Sequence, residues 1–180
     1  MKTYTLQIAG LERKLPIIAL SKSLSIASFD ILGDTEIVQL TAPIVAKRLP
    51  AIDAIVTAEA KGIPFAYEVA KQLGLKRYIV ARKSVKPYMV DPLIKTVVSI
   101  TTQTEQTLCL DRIDVEHIKG KRVAIVDDVI STGESLRALC ELAEAAGAIV
   151  VAKAAILAEG DAAQRDDIIF LEHLPLFESE

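Results

Sequence analysis

Two adjacent carboxylates stand directly after a short apolar run and are the most chemically distinctive residues of the chain. Asp127 and Asp128 follow residues 123–126, and such a run is typical of a parallel strand that helices cover on both faces. Open α/β sheets bind their ligands at the carboxyl ends of their strands. We therefore expect the strand to end at these acids and to leave both carboxylates exposed to a ligand.

A small, polar turn follows the two acids. Its members carry hydroxyl groups, a flexible backbone or one further acid, and they are Ser131, Thr132, Gly133, Glu134 and Ser135. Leu136, Leu139 and Ala143 then recur at helical spacing, and Gly147 supplies a stop signal. Hydroxyls and the first amides of a helix together suit a phosphate group. The alternative interpretation is a buried strand that leads into a solvated acidic turn.

The whole stretch 123–135 resembles the phosphoribosyl-diphosphate (PRPP) motif of the type I phosphoribosyltransferases. The resemblance implies that Asp127 and Asp128 are catalytic residues that hold the ribose hydroxyls of PRPP. It also implies that the five turn residues wrap the 5′-phosphate.

A second unit begins with the predicted strand 54–56 and continues into a helix that Pro64 opens. The loop between them resembles the diphosphate loop of the adenine and xanthine enzymes, in the order Glu59, Ala60, Lys61 and Gly62. Adenine enzymes usually carry arginine where this chain has Lys61, so a point charge replaces a two-pronged contact. The resemblance implies that this loop binds PRPP and that the peptide bond between Glu59 and Ala60 is cis. An ordinary strand-to-helix turn is the alternative.

A basic stretch, residues 82–95, follows the predicted strand 78–81 and precedes two more predicted strands, 97–101 and 106–110. Relatives carry a mobile loop here that closes over the diphosphate, and it resembles the xanthine type more than the adenine type. The resemblance assigns Arg82, Lys83 and Lys86 to PRPP binding and makes Lys83 catalytic. A solvated charged surface is the alternative interpretation.

The two ends of the chain resemble the hood that covers the nucleobase in this family. Alternation of polar and apolar residues predicts a hairpin formed by strand 3–8 and the apolar run 15–20, with a connection over 21–29 after it. A helix is predicted from residue 34 toward 49, and Pro43 should kink it or reset its start. The last buried strand is predicted at 149–157. Phe29 and Glu159 are the expected base-binding residues, although Phe29 fits the core equally well.

Composition narrows the possible functions. The 180 residues are 51% hydrophobic but 4% aromatic, as suits a layered α/β core, and the net charge of −3 argues against nucleic acid as a partner. No apolar run reaches the ~18 residues of a membrane span, so we expect no membrane partner and a cytoplasmic protein. Cys109 and Cys140 lack metal-ligand or redox spacing and are expected to be buried, reduced thiols.

We therefore predict a single α/β domain over 1–180, with a central, mostly parallel sheet and helices on both faces. The core is expected at about 34–157, and the hood at 1–33 and 158–180. The resemblance implies an enzyme that transfers the phosphoribosyl group of PRPP to a purine-type base in nucleotide salvage and acts as a homodimer. Its Mg²⁺ cofactor is expected to have no direct protein ligand and to be held mainly by PRPP. The alternative is a noncatalytic PRPP sensor. Such sensors carry a DNA-binding domain, for which we expect no room ahead of Tyr4.

Overall fold

The computed structural model of the protein describes residues 2–98 and 105–178. Its strands are β1 (Thr3–Ile8), β2 (Leu11–Ala19), β3 (Leu24–Ala27), β4 (Ala54–Ala58), β5 (Ile79–Ala81), β6 (Leu93–Val98), β7 (Glu105–Leu110), β8 (Arg122–Ile130), β9 (Ile149–Glu159), β10 (Glu172–Leu174) and β11 (Leu176–Glu178). Its helices are α1 (Thr35–Arg48), α2 (Gly62–Gln72), α3 (Arg112–Ile118) and α4 (Glu134–Ala145), and a 3-10 turn covers Gly160–Gln164.

Five parallel strands form the central sheet in the order β10-β9-β8-β4-β5. Alternate residues of β8 point to opposite faces, because side chains alternate along a strand. Ala124 and Val126 belong to the core cluster that includes α1 and α2, whereas Val123 and Ile125 belong to the cluster that includes α4. The sheet is therefore covered on both faces, and the predicted α/β fold class is confirmed.

The first helix begins at the expected residue. Asp34 caps α1 by accepting a hydrogen bond from the Ile37 amide at 3.1 Å, and the Arg13 guanidinium donates to the same carboxylate at 2.7 Å. This contact ties the N-terminal hairpin to the core. Pro43 lies inside α1 and does not restart the helix.

A second, four-stranded sheet joins the two ends of the chain in the order β1-β2-β3-β11. The β1-β2 hairpin agrees with the alternation of the sequence. The prediction of a plain connection over 21–29 was wrong, because β3 lies within it. This short strand is stabilised on both edges, since Ile26 pairs with Ile18 of β2 and with Leu176 of β11.

Three other boundaries differ from the sequence prediction. Strand β8 does not end at the acids but continues to Ile130, because β9 pairs with it as far as the partners Ile130 and Ala158. Strand β6 begins at Leu93, inside the stretch expected to be a loop, and residues 99–101 of the predicted strand lie outside the described residues. Helix α3 was not predicted.

Within the described residues, no helix has the length and apolar content that crossing a membrane requires.

Candidate functional site

The carboxyl ends of β4, β5 and β8 lie at one edge of the central sheet, because these strands are parallel neighbours. A cavity of about 490 Å³ opens there. The residues that line it come from the predicted motifs and from neighbouring strands: Leu32, Ala58, Glu59, Ala60, Lys61, Lys83, Gln106, Leu108, Asp127, Asp128, Val129, Ile130, Ser131, Thr132, Gly133, Ser135 and Leu136.

The acid pair forms part of the cavity wall, but its surroundings differ from the prediction. Asp128 is only 8% exposed and Asp127 is partly buried, so neither stands at an open strand end as expected. The extension of β8 past both residues explains this burial. The Asp127 carboxylate accepts a hydrogen bond from the Asp128 amide at 2.9 Å.

Burial has an electrostatic consequence for Asp127. Loss of solvation raises the pKa of its carboxyl group well above the ordinary value of 3.8, and the charge of Asp128 raises that pKa further. The positive charge of Lys83 acts in the opposite direction. A ligand that offers hydroxyl groups or a cation to this carboxylate would favour its ionised form.

The hydroxyl-rich turn lies between the end of β8 and the first turn of α4. Gly133 has a φ of 81°, a left-handed conformation that glycine adopts readily, and it caps α4 without a side-chain hydrogen bond. The Thr132 hydroxyl accepts a hydrogen bond from the Glu134 amide at 3.4 Å. The Ser131 hydroxyl donates to the Glu159 carboxylate at 2.8 Å. The turn thus presents hydroxyls and helix amides beside the cavity, which is a suitable arrangement for an anion.

The second predicted loop, Glu59–Gly62, lies beside the acids. The Glu59–Ala60 peptide bond is cis, as the resemblance implied, so this prediction is confirmed. Lys61 lines the cavity, and its ammonium group donates to the Phe29 carbonyl oxygen at 3.2 Å.

Gly62 lies close to the acid pair. A Cβ atom added to it would stand 2.4 Å from the Thr57 hydroxyl and 2.9 Å from the Asp127 carboxylate. Thr57 is fully buried, and its hydroxyl has no hydrogen-bond partner among the described residues. Only glycine therefore fits here without displacing a neighbour.

Glu59 connects this loop to the basic stretch. Its carboxylate accepts a hydrogen bond from the Lys83 amide at 2.8 Å and another from the Arg82 guanidinium. These donors hold the pKa of Glu59 below its ordinary value, with the Lys83 amide the largest cause. Arg82 also donates to the Tyr88 hydroxyl at 2.7 Å. Glu59 therefore anchors the start of the basic stretch as an anion.

The predicted site residues do not all reach the cavity. Lys83 lines it, whereas Lys86 donates to the Ser84 hydroxyl at 2.7 Å and does not appear among the lining residues. Residues Gly62, Arg82 and Glu134 also lie outside the lining set.

The two expected base-binding residues lie elsewhere. Phe29 is 6% exposed and packs in the core cluster, so the structure favours the alternative that its ring is a core residue. Glu159 contacts Ser131 of the turn but does not line the cavity.

Sequence reasoning did not identify Gln106 and Leu32, which line the cavity. Gln106 lies in β7, where a polar residue resembles any solvent-facing strand position. Leu32 is 50% exposed although it is apolar, and such exposure is visible only in the structure.

The donors at the site suit a cation that arrives with phosphate groups. Among the described residues, no group of three or more His, Cys, Asp or Glu side chains could enclose a metal ion. Asp127 and Asp128 are the carboxylates that line the cavity together with Glu59. Mg²⁺ commonly binds one or two carboxylates and completes its shell with water and substrate phosphates, so the residues present fit that mode.

Comparison with known proteins agrees with this geometry. The model of the phosphoribosyl transferase domain matches residues 35–174, which include both loops and the acid pair. The chain belongs to this family. The predicted type I, adenine/xanthine-like membership is confirmed by relatives named xanthine phosphoribosyltransferase and adenine phosphoribosyltransferase.

The chain is 38% identical over 110 residues to a hypoxanthine/guanine phosphoribosyltransferase of Methanococcus voltae, covering 61% of this chain and 54% of that protein. It is 34% identical over 119 residues to a xanthine phosphoribosyltransferase of an Exiguobacterium species, covering 66% of this chain and 60% of that protein. The aligned regions thus span little more than half of these relatives. The fold is similar to adenine phosphoribosyltransferase from Thermoanaerobacter pseudethanolicus, with a TM-score of 0.72, 24% identity, and coverage of 88% of this chain and 95% of that one.

Proposed function

We propose that the protein transfers the 5-phosphoribosyl group of PRPP to a purine base and releases diphosphate. The observation that carries the proposal is the convergence of three parts on one cavity: the acid pair, the hydroxyl-rich turn at α4, and residues Glu59, Ala60 and Lys61 of the second loop. Relatives named for hypoxanthine/guanine and xanthine support a purine as the acceptor.

The chemistry requires positioning and charge stabilisation. A nitrogen of the base forms a bond to C1 of the ribose while the bond from C1 to the diphosphate oxygen breaks, and positive charge develops on the sugar. In this proposal the turn 131–135 holds the 5′-phosphate, and Asp127 and Asp128 accept hydrogen bonds from the ribose hydroxyls. These contacts fix the reacting carbon, and correct orientation can supply a large part of a rate enhancement.

The leaving diphosphate needs positive charge on the other side of the cavity. Lys61 and Lys83 line the cavity together with Glu59 and Ala60 of the second loop. Mg²⁺ bound to PRPP would neutralise further charge on the diphosphate. Oriented cations and amides stabilise such a developing anion more strongly in a partly enclosed cavity than in water.

Two further predictions belong to this proposal. The four-stranded sheet and the 3-10 turn form the hood, and the active form is a homodimer. Sedimentation analysis of the purified protein tests the second prediction.

The decisive experiment mixes the protein with PRPP, Mg²⁺ and adenine, hypoxanthine, guanine or xanthine, and measures diphosphate release and nucleotide formation. We expect turnover with at least one base and loss of turnover in Asp128→Asn. Asp53→Asn is the matched control, because Asp53 accepts a hydrogen bond from the Arg122 amide at the opposite end of β8. Saturable PRPP binding without turnover would contradict the transferase and support the noncatalytic PRPP sensor. Absence of PRPP binding would refute both hypotheses.

A further inference from the structure

An arginine from the C-terminal region lies against the hydroxyl-rich turn. A Cβ atom added to Gly133 would stand 2.7 Å from Arg165 Nη1 and 4.0 Å from its Cζ atom. The guanidinium group therefore contacts the backbone of the turn at the residue that caps α4. Arg165 does not line the cavity itself, so it approaches the turn from outside.

Ion pairs hold this guanidinium in one orientation. Arg165 donates from Nε and Nη2 to the two oxygens of Asp167, each at 2.8 Å. Lys153 of β9 donates to the same carboxylate at 2.9 Å. This two-pronged pair leaves Nη1 as the nitrogen directed at Gly133, and none of the described residues accepts a hydrogen bond from it. A planar fork restrained in this way loses little further entropy when it supports the turn.

The turn itself has no positive charge. Residues 131–135 contain one acid, Glu134, and no basic residue. Ser131 is bonded to another acid, Glu159. A phosphate group bound in the turn would therefore find no cationic side chain among the residues of the turn itself. Arg165 brings one nitrogen of its cationic guanidinium group, Nη1, to the same backbone.

We propose that Arg165 is a positioning residue for the 5′-phosphate, which braces Gly133 and supplies the positive charge that the turn lacks. The inference rests on the proposed function, since it assigns the turn to the phosphate of PRPP. The segment from Glu159 to Asp167 then supports the turn at two points, Ser131 and Gly133. Arg165 acts through the turn and not by contact with the reacting atoms.

The proposal predicts a selective effect on ligands. Arg165→Gln should weaken binding of ribose 5-phosphate and raise the KM for PRPP about fivefold, as expected for one charge acting over several ångströms at a partly exposed site. Binding of magnesium diphosphate should change less than twofold, because that group lies at the other side of the cavity. The KM for the base should also stay unchanged. Raising the salt concentration should shrink the difference between variant and wild type, since salt screens an exposed charge.

Two further variants separate charge from structure. Lys153→Gln removes a positive charge from the same ion cluster without touching the turn, and it is the matched control. It should keep wild-type affinity for ribose 5-phosphate. Arg165→Lys keeps the charge but cannot form the fork with Asp167, so it should recover part of the affinity lost in Arg165→Gln. Calorimetric titration with ribose 5-phosphate and with magnesium diphosphate, together with steady-state kinetics, measures all of these effects.

The outcomes distinguish the inference from the proposed function. Selective loss of ribose 5-phosphate affinity in Arg165→Gln, with Lys153→Gln unchanged, supports the role of Arg165. If the wild type is active and Arg165→Gln keeps its affinity for ribose 5-phosphate, the role of Arg165 is overturned and the transferase proposal stands. The same conclusion follows if Lys153→Gln loses as much affinity as Arg165→Gln. A wild type that releases no diphosphate with any base overturns the transferase proposal instead.

Discussion

Replacing Gly62 with alanine should damage both stability and PRPP binding, because the new methyl group would meet two neighbours. Ordinary contacts of a Cβ atom begin at about 3.4 Å, whereas this one would lie 2.4 Å from the Thr57 hydroxyl and 2.9 Å from the Asp127 carboxylate. The hydroxyl would have to retreat by about 1 Å and the carboxylate by about 0.5 Å. Thr57 is fully buried and has little room for such a movement.

Two opposing free energies decide the size of the effect on stability. Overpacking of an interior costs about 1–3 kcal/mol. The lower chain entropy of alanine in the unfolded state returns about 0.4–1 kcal/mol. We therefore expect Gly62→Ala to lower the free energy of unfolding by about 1–2 kcal/mol and the urea midpoint by about 0.5–1 M.

The effect on binding follows from the displaced carboxylate. A hydrogen bond to a charged group contributes about 1.5–3 kcal/mol, so loss of one bond from Asp127 to a ribose hydroxyl should weaken PRPP binding at least about tenfold. Urea denaturation and calorimetric titration with PRPP and Mg²⁺ measure the two quantities. Thr57→Ala in the same chain should restore part of the lost stability, because it removes the closest contact.

Gly74→Ala is the matched control. Gly74 has a φ of 69° and no atom within 4 Å of an added Cβ, so alanine there is strained but far from the ligand. It should lose stability by about 1 kcal/mol and keep wild-type PRPP affinity. Wild-type affinity in Gly62→Ala, or no recovery of stability with Thr57→Ala, would refute the steric argument.

Three other outcomes are expected. Because the folded protein raises the pKa of Asp127, this carboxyl group binds more protons in the folded than in the unfolded state. Ligand-free stability should therefore fall as pH rises from 3.8 through neutrality. Asp127→Asn should flatten this pH dependence in urea titrations and should also weaken PRPP binding. Replacing Lys83 and Lys86 with alanine should lower turnover more than the melting temperature, and equal hydrogen exchange of this stretch with and without PRPP would contradict closure of a loop. Asp34→Ala should cost about 1 kcal/mol through the lost helix cap, whereas Glu36→Ala, which removes a more exposed partner of the same arginine, should cost less in thermal denaturation.

Local order of residue types, together with the resemblance to the phosphoribosyltransferases, was enough to predict the fold class, the two main loops and most of the cavity wall. The apolar run before Asp127, the small polar turn after it and the helical spacing beyond form one strand-turn-helix unit, and neighbouring residues determine such a unit. The loop at Glu59 follows the same logic. Parallel strands bring their carboxyl ends to one edge, and the two units accordingly line the same cavity.

Tertiary pairing decided the features that no local pattern contains. Strand β8 passes the acids because β9 pairs with it to Ile130, and this pairing buries Asp128. Phe29 lies in a core cluster that also contains residues of α2 and β9, which are distant from it in the sequence. Arg165 reaches Gly133 from more than thirty residues away through its pair with Asp167. Each contact joins residues far apart in the chain, and spacing along a sequence contains no information about which distant segments pack together.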